Sequence, residues 1–150
     1  MDKHAKILVV DDDENIRNTM KAILEDEGYI VDLAATGSEA IKKTQKSTYN
    51  IALLDIRLPD IEGVELLKLI KDNVPRTRKI MVTGYPSMQN AIAALNKNAD
   101  AYLIKPIDIE NLLSIVKEQL RLQENEREFS EQKVAEFIET RVKELSIDQL

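Results

Sequence analysis

Five short runs of mostly apolar residues punctuate the first 110 positions, each followed by turn residues and then by helical spacing. The runs are KILVV at 6–10, YIVDLA at 29–34, IALL at 51–54, KIMV at 79–82 and AYLI at 101–104. Most lack regular polar alternation, so they read as strands covered on both faces. After the first, Ile16, Met20, Ile23 and Leu24 recur at helical spacing until Gly28. Thr36-Gly37-Ser38 caps a second helix carrying Ala40 and Ile41. Val64, Leu66, Leu67 and Ile70 mark a third, which stops before Val74-Pro75. Ser87 caps an alanine-rich helix through about Asn96, and Asp108 caps the last. Strand and helix alternate with a period of about 20 to 25 residues, which calls for an α/β fold. Its sheet is parallel, its crossovers right-handed, and helices cover both faces.

The polar residues fall where such a sheet binds ligands, at the carboxyl ends of its strands. Asp11 and Asp12 follow the first strand, Asp55 the third, Thr83 the fourth and Lys105 the fifth. A single aspartate after a strand is ordinary turn chemistry; reactive types after four strands of five make a site. Like-charged carboxylates about 4 Å apart repel by roughly 4 kcal/mol per pair at an effective dielectric near 20, so the group needs a cation. With no cysteine in the chain and its one histidine, His4, in the leading segment, a hard oxygen-loving ion such as Mg²⁺ suits it. An ammonium and a hydroxyl aimed at the same point are what a transferred phosphoryl group requires. The pattern therefore predicts a phosphoryl site with Asp55 as its nucleophile.

Composition narrows the alternatives. A net charge of −6 argues against this chain gripping nucleic acid by itself. The lack of cysteine removes disulfides and thiol chemistry and fits a cytoplasmic protein. No apolar run approaches membrane-spanning length, and the amino terminus runs directly into a strand without a secretory signal.

The motifs ILVVDDDENIR, LLDIRLPDIEG, MVTGYPS and DAYLIKPID, in this order and spacing, resemble the receiver domains of two-component response regulators over about residues 5 to 120. The resemblance implies a flavodoxin-like five-stranded sheet of order 2-1-3-4-5. It implies that Asp55 accepts a phosphoryl group from a phosphohistidine on a sensor histidine kinase. Mg²⁺ is then bound by Asp12, Asp55 and the Arg57 backbone carbonyl, with Asp11 acting through water. Lys105 contacts the phosphoryl group, and the Lys105-Pro106 bond matches the family's cis peptide. Thr83 swings toward the phosphoryl group while Tyr102 changes rotamer, and Gly84 is the small residue that leaves room. The responding face is the helix over 87–96, the fifth strand and the last helix. A receiver of this type turns over its own phosphoryl group slowly and is not a turnover enzyme.

Each residue also has a plainer reading. Asp13 and Glu14 open a helix, where acids complement the dipole. Tyr102 fits an edge strand, and Arg57 and Tyr85 fit solvated side chains. A calcium loop starting at Asp11 fails, because Ile16 stands where glycine is needed and Ala22 where the final glutamate belongs. A haloacid-dehalogenase-like phosphatase with Asp11 as nucleophile is the enzyme alternative; it lacks the later acidic pair for its metal.

From Ile107 to the end there is neither Gly nor Pro, so one helix can run past the receiver. This divides the chain into a receiver domain at 1–120 and a helical extension or linker at 121–150, with no output domain. Leu113, Val116 and Leu120 form a stripe expected to pack on the sheet. Ala135, Ile138, Val142 and Leu145 form a second, out of phase with the first. Homodimerisation through this segment as a coiled coil and a merely solvated helix both remain open.

Overall fold

The computed structural model describes residues 4–70, 76–84 and 99–148. The helix expected over 87–96 and Tyr85 lie outside them. Strands β1 (Lys6–Val10), β2 (Ile30–Ala34), β3 (Ile51–Asp55), β4 (Arg78–Thr83) and β5 (Ala101–Ile104) alternate with helices α1 (Glu14–Asp26), α2 (Gly37–Lys46) and α3 (Gly63–Leu69). A long helix α4 (Ile109–Asp148) follows β5. The sheet has the order β2-β1-β3-β4-β5, and all its pairings are parallel. This is the architecture the alternating pattern predicts.

Successive strand residues point to opposite faces, so each apolar run feeds two cores. Ile7, Val9, Ile51, Leu53, Ile80 and Val82 meet Met20 and Leu24 of α1 and Leu112 and Val116 of α4. Leu8, Val10, Ala52, Leu54 and Met81 meet Ala40 of α2 and Leu66 and Leu67 of α3. Both faces of β3 are fully buried, which explains its unbroken apolar sequence.

Local chemistry fixes the helix ends. Asp13 caps α1 by accepting from the Asn15 and Ile16 N–H groups, and Thr36 caps α2 by accepting from the Glu39 N–H. Gly28 follows α1 at φ 97°, a left-handed conformation that glycine adopts without strain.

Three strand bounds and one packing stripe depart from the sequence reading: β3, read as 51–54, also takes in Asp55. β2 begins at Ile30 rather than Tyr29. β4 spans Arg78–Thr83 rather than 79–82, because parallel pairing continues from Ile51↔Arg78 through Thr83↔Ile104. The ladder uses backbone groups, so a charged or hydroxylic side chain does not end it. The packing stripe of α4 is centred on Leu112 and Val116, and Leu113 and Leu120 are only half-buried at its margins. Among the described residues, no helix is long and apolar enough to cross a membrane.

Candidate functional site

Asp11 leaves β1, Asp55 ends β3, Thr83 ends β4, and Lys105 follows β5, so all four stand on one edge of the sheet. With Asp12 and Gly84 they line an open cavity of about 540 Å³, apart from Thr83, which is buried behind it. One carboxylate oxygen from each of Asp11, Asp12 and Asp55 lies within 4.8 Å of the others. Asp11 and Asp55 are buried, whereas Asp12 is exposed. The Lys105 ammonium reaches in from the side, 3.0 Å from Asp11 Oδ2 and 3.6 Å from Asp55 Oδ2.

The acids are held at their bases and open at their tips. Asp11 Oδ1 accepts from the Asp13 N–H at 2.9 Å, and the Asp11 carbonyl accepts from Arg17 at 2.7 Å. Asp11 Oδ2, by contrast, is buried and has no hydrogen-bond partner among the described residues. The Lys105 ammonium, 3.0 Å away, is its ion-pair partner. Asp55 Oδ1 receives a long 3.4 Å contact from the Arg57 N–H. Burial, then the charge on Asp11, push the Asp55 carboxyl up to about 6. Lys105 and the Arg57 N–H oppose that rise, and Asp12 adds to it. At Lys105, burial works against the charged form, but the two carboxylates outweigh it and hold the ammonium above its ordinary range.

Three carboxylates within 4.8 Å of one another, two of them buried and sharing a single ammonium, fit a hard divalent cation. The donor set is all oxygen, with neither imidazole nor thiolate, which suits Mg²⁺ better than a transition metal. Arg57 is exposed and forms an isolated antiparallel bridge with Glu62. The Lys105-Pro106 peptide bond is cis. Tyr102 is half-buried against the cluster containing Met81 and Ile56, and burial raises its hydroxyl. Gly84 is exposed, and a Cβ there would meet Lys105 only at ordinary contact distance.

Two supporting residues escape a reading by local pattern. Gly63 carries the start of α3 directly beneath the site, where a Cβ would come within 2.3 Å of the Asp55 carbonyl oxygen. Its signal in the sequence is its place at the end of the motif LLDIRLPDIEG, which gives it no stated role. Asp60 accepts from the Gly37 and Ser38 N–H groups, both at 2.9 Å, so it caps α2 from the loop between β3 and α3. Those two hydrogen bonds, offsetting a slight desolvation, hold its carboxyl below the usual range. Nothing local distinguishes Asp60 from an ordinary turn aspartate.

Comparison with known proteins agrees with this geometry. The family model described as response regulator receiver domain matches residues 7–117. The response regulator ArlR of Staphylococcus saprophyticus is 37% identical over 118 residues, covering 79% of this chain but 53% of that protein. The chain thus spans about half the length of that relative. A CheY-like receiver domain from Methanospirillum hungatei is 48% identical with a TM-score of 0.74, covering 82% of this chain and 98% of that one. TrrA of Thermotoga maritima, a response regulator solved in complex with Mg²⁺ and BeF, is 34% identical with a TM-score of 0.69. That match covers 77% of this chain and 98% of TrrA. Strand order, acidic edge and family match agree: this chain belongs to the response regulator receiver domains of two-component signalling.

Proposed function

We propose that Asp55 is the phosphoacceptor of this receiver and that its donor is a phosphohistidine on a sensor histidine kinase. One observation carries the assignment. Asp55 is the acid at the end of the central strand that lies within reach of two further carboxylates and an ammonium. Its carboxylate oxygen attacks phosphorus as the P–N bond breaks. The electron pair returns to the imidazole, which takes up a proton, and an acyl phosphate remains on Asp55. Lys105, already shared between Asp11 and Asp55, pairs with an oxygen of the incoming group, and the Thr83 hydroxyl donates to another. Asp12, Asp55 and the Arg57 carbonyl would hold Mg²⁺, with Asp11 Oδ2 accepting from one of its waters. Bound there, the ion would offset the charge that develops on the phosphoryl oxygens. TrrA, whose solved complex contains Mg²⁺ and BeF, supports this choice of metal.

The chain is a switch rather than a turnover enzyme on this reading, acting beside the kinase in the cytoplasm. Residues 1–120 are the receiver and 121–150 its helical extension. The family match leaves the phosphatase alternative, with Asp11 as nucleophile, without support. Incubation with a small acyl-phosphate donor and, separately, with a general phosphomonoester tests the reading. A single Mg²⁺-dependent phosphorylation per chain and no sustained ester hydrolysis are expected; many turnovers of the ester per site contradict it.

A phosphoryl group biases an equilibrium only through contacts that differ between states. The Thr83 hydroxyl is that contact, and Tyr102 on β5, paired with Met81 two residues before Thr83, responds by changing rotamer. The output face is therefore the 87–96 segment, β5 and the start of α4, and it carries a partner or a symmetric dimer contact. The exposed α4 stripe is the second route to a dimer. Hydrogen exchange with and without a phosphoryl mimic should change most within residues 83–120, and less in Thr83→Ala. Changes centred on α1 and α2, or undiminished in Thr83→Ala, contradict this switch.

A further inference from the structure

The stripe that packs α4 onto the sheet does not end where the hydrophobic core ends. Leu112, Val116, Gln119, Gln123 and Glu126 follow one another at alternating steps of four and three, which keeps them on one helix face. Leu112 and Val116 are fully buried, and Gln119 and Gln123 are 5% and 4% exposed, so the face changes from apolar to polar while still in contact. The change coincides with the amino edge of the sheet, opposite the acidic site. There Arg78 opens β4 on the same strand face as Ile80 and Val82, the residues that meet Leu112 and Val116.

The polar residues are paired across long sequence separations. Arg78 Nε donates to Gln119 Oε1 at 2.9 Å, and Arg78 Nη1 donates to Glu126 Oε1 at 2.5 Å. Asp100 lies 3.6 Å from the same guanidinium and accepts two hydrogen bonds from Arg76 and one from the Lys79 N–H. Gln123 donates to the Asn50 and Arg76 carbonyls, and Asn50 Nδ2 donates back to Gln123 Oε1. Asn50 Oδ1 in turn accepts from the Lys6 N–H at the start of β1. Two cations and two anions balance, and the Gln123 and Asn50 side-chain amides are each used as donor and acceptor. Beyond this network every residue from 127 to 146 is exposed, in about 30 Å of helix.

We propose that Arg78, Asp100, Asn50, Gln119, Gln123 and Glu126 form a polar latch that fixes the direction in which α4 leaves the domain. An apolar stripe alone allows a helix to slide and roll on a smooth core. Directional pairs at three successive turns of α4 do not, because each shift breaks buried hydrogen bonds. The latch makes residues 127–148 a rigid continuation of the sheet, so whatever this helix meets is presented at a set angle. It is independent of the phosphoryl chemistry at the opposite edge.

The test uses the whole chain, whose lack of cysteine allows spin labels at Lys42→Cys on α2 and Thr140→Cys on the projecting helix. Pulsed-EPR distances are measured together with hydrogen exchange, with and without Gln123→Ala/Glu126→Ala. The helix-side pair leaves Arg78 with Asp100. We expect the 42–140 distance distribution to broaden and protection at 118–128 to fall at least tenfold, with β1 and β3 unchanged. The matched Gln132→Ala/Glu136→Ala variant on the free segment should behave as wild type. An unchanged distribution and protection in Gln123→Ala/Glu126→Ala overturns the latch. So does a uniform loss of protection across the sheet, or loss of the folded state, since the network then supports the whole domain rather than the helix direction.

Discussion

Lys105 Nζ stands 3.0 Å from Asp11 Oδ2, and the same ammonium lies 3.6 Å from Asp55 Oδ2. One cation is thus divided between two buried carboxylates. Without metal, the Asp55 carboxyl rises from 3.8 to about 6, through burial and then through the Asp11 charge. An acid whose folded pKa exceeds its unfolded value holds its proton more tightly when folded. The fold is therefore favoured at this group below about pH 4 and loses stability as pH rises through that window. Above it the loss reaches up to about 3 kcal/mol. In chelator at pH 7.5, Asp55→Asn should raise stability by up to that amount, and the gain should shrink toward pH 4. Urea melts at the two pH values check this. A less stable Asp55→Asn at pH 7.5 contradicts the account, because the acid would then be held by internal partners.

Gly63 and Gly84 both flank the site, yet they answer differently to an added methyl group. At Gly63 a Cβ would lie 2.3 Å from the Asp55 carbonyl oxygen and 2.9 Å from Ile56 Cα, both backbone atoms. At Gly84 the nearest atoms are 3.5 and 3.6 Å away, on the Lys105 side chain. Gly63→Ala should cost about 2 kcal/mol or more and slow phosphorylation by displacing Asp55. Gly84→Ala should stay within about 0.5 kcal/mol of wild type. Thermal melts and phosphorylation rates of the two variants make the comparison.

Asp100 gives a pH response of the opposite sign. Burial alone would raise its carboxyl, but hydrogen bonds from Arg76 and the Lys79 N–H, with the Arg76 and Arg78 charges, hold it below the usual range. Its stabilisation is present above about pH 4, the unfolded value, and is lost as pH falls through the lower folded one. Asp100→Asn should cost about 3 kcal/mol at pH 7, because it leaves a buried guanidinium underpaired. That difference should narrow in urea melts near pH 3. An equal difference at both pH values contradicts the assignment.

What the sequence revealed and what it hid divide by physical cause. Strands announce themselves because burial on both faces demands consecutive apolar residues, as in Ile51 to Leu54. The acidic edge was legible because strand ends put Asp11, Asp12, Asp55 and Lys105 at fixed places in a repeating pattern. Nothing local marks Gln119 and Gln123 as buried, because a glutamine is buried only when partners satisfy it. Those partners, Arg78 and Asn50, lie 41 and 73 residues away in sequence. The same holds for Asp60, whose acceptor role depends on an α2 terminus 22 and 23 residues earlier. The stripe read from sequence, Leu113, Val116 and Leu120, stops where the apolar residues stop, whereas the contact face runs on through Gln119 and Gln123.

The central claim is that Asp55 carries the phosphoryl group, and mapping the modified residue tests it most directly. The protein is treated with a small acyl-phosphate donor, with Mg²⁺ or with chelator, then reduced with borohydride and digested for mass spectrometry. The account predicts a Mg²⁺-dependent reduction product at position 55 and none in Asp55→Asn. Modification that persists in Asp55→Asn, that appears at Asp11 or Asp12, or that survives as a stable ester on a serine or threonine would contradict it.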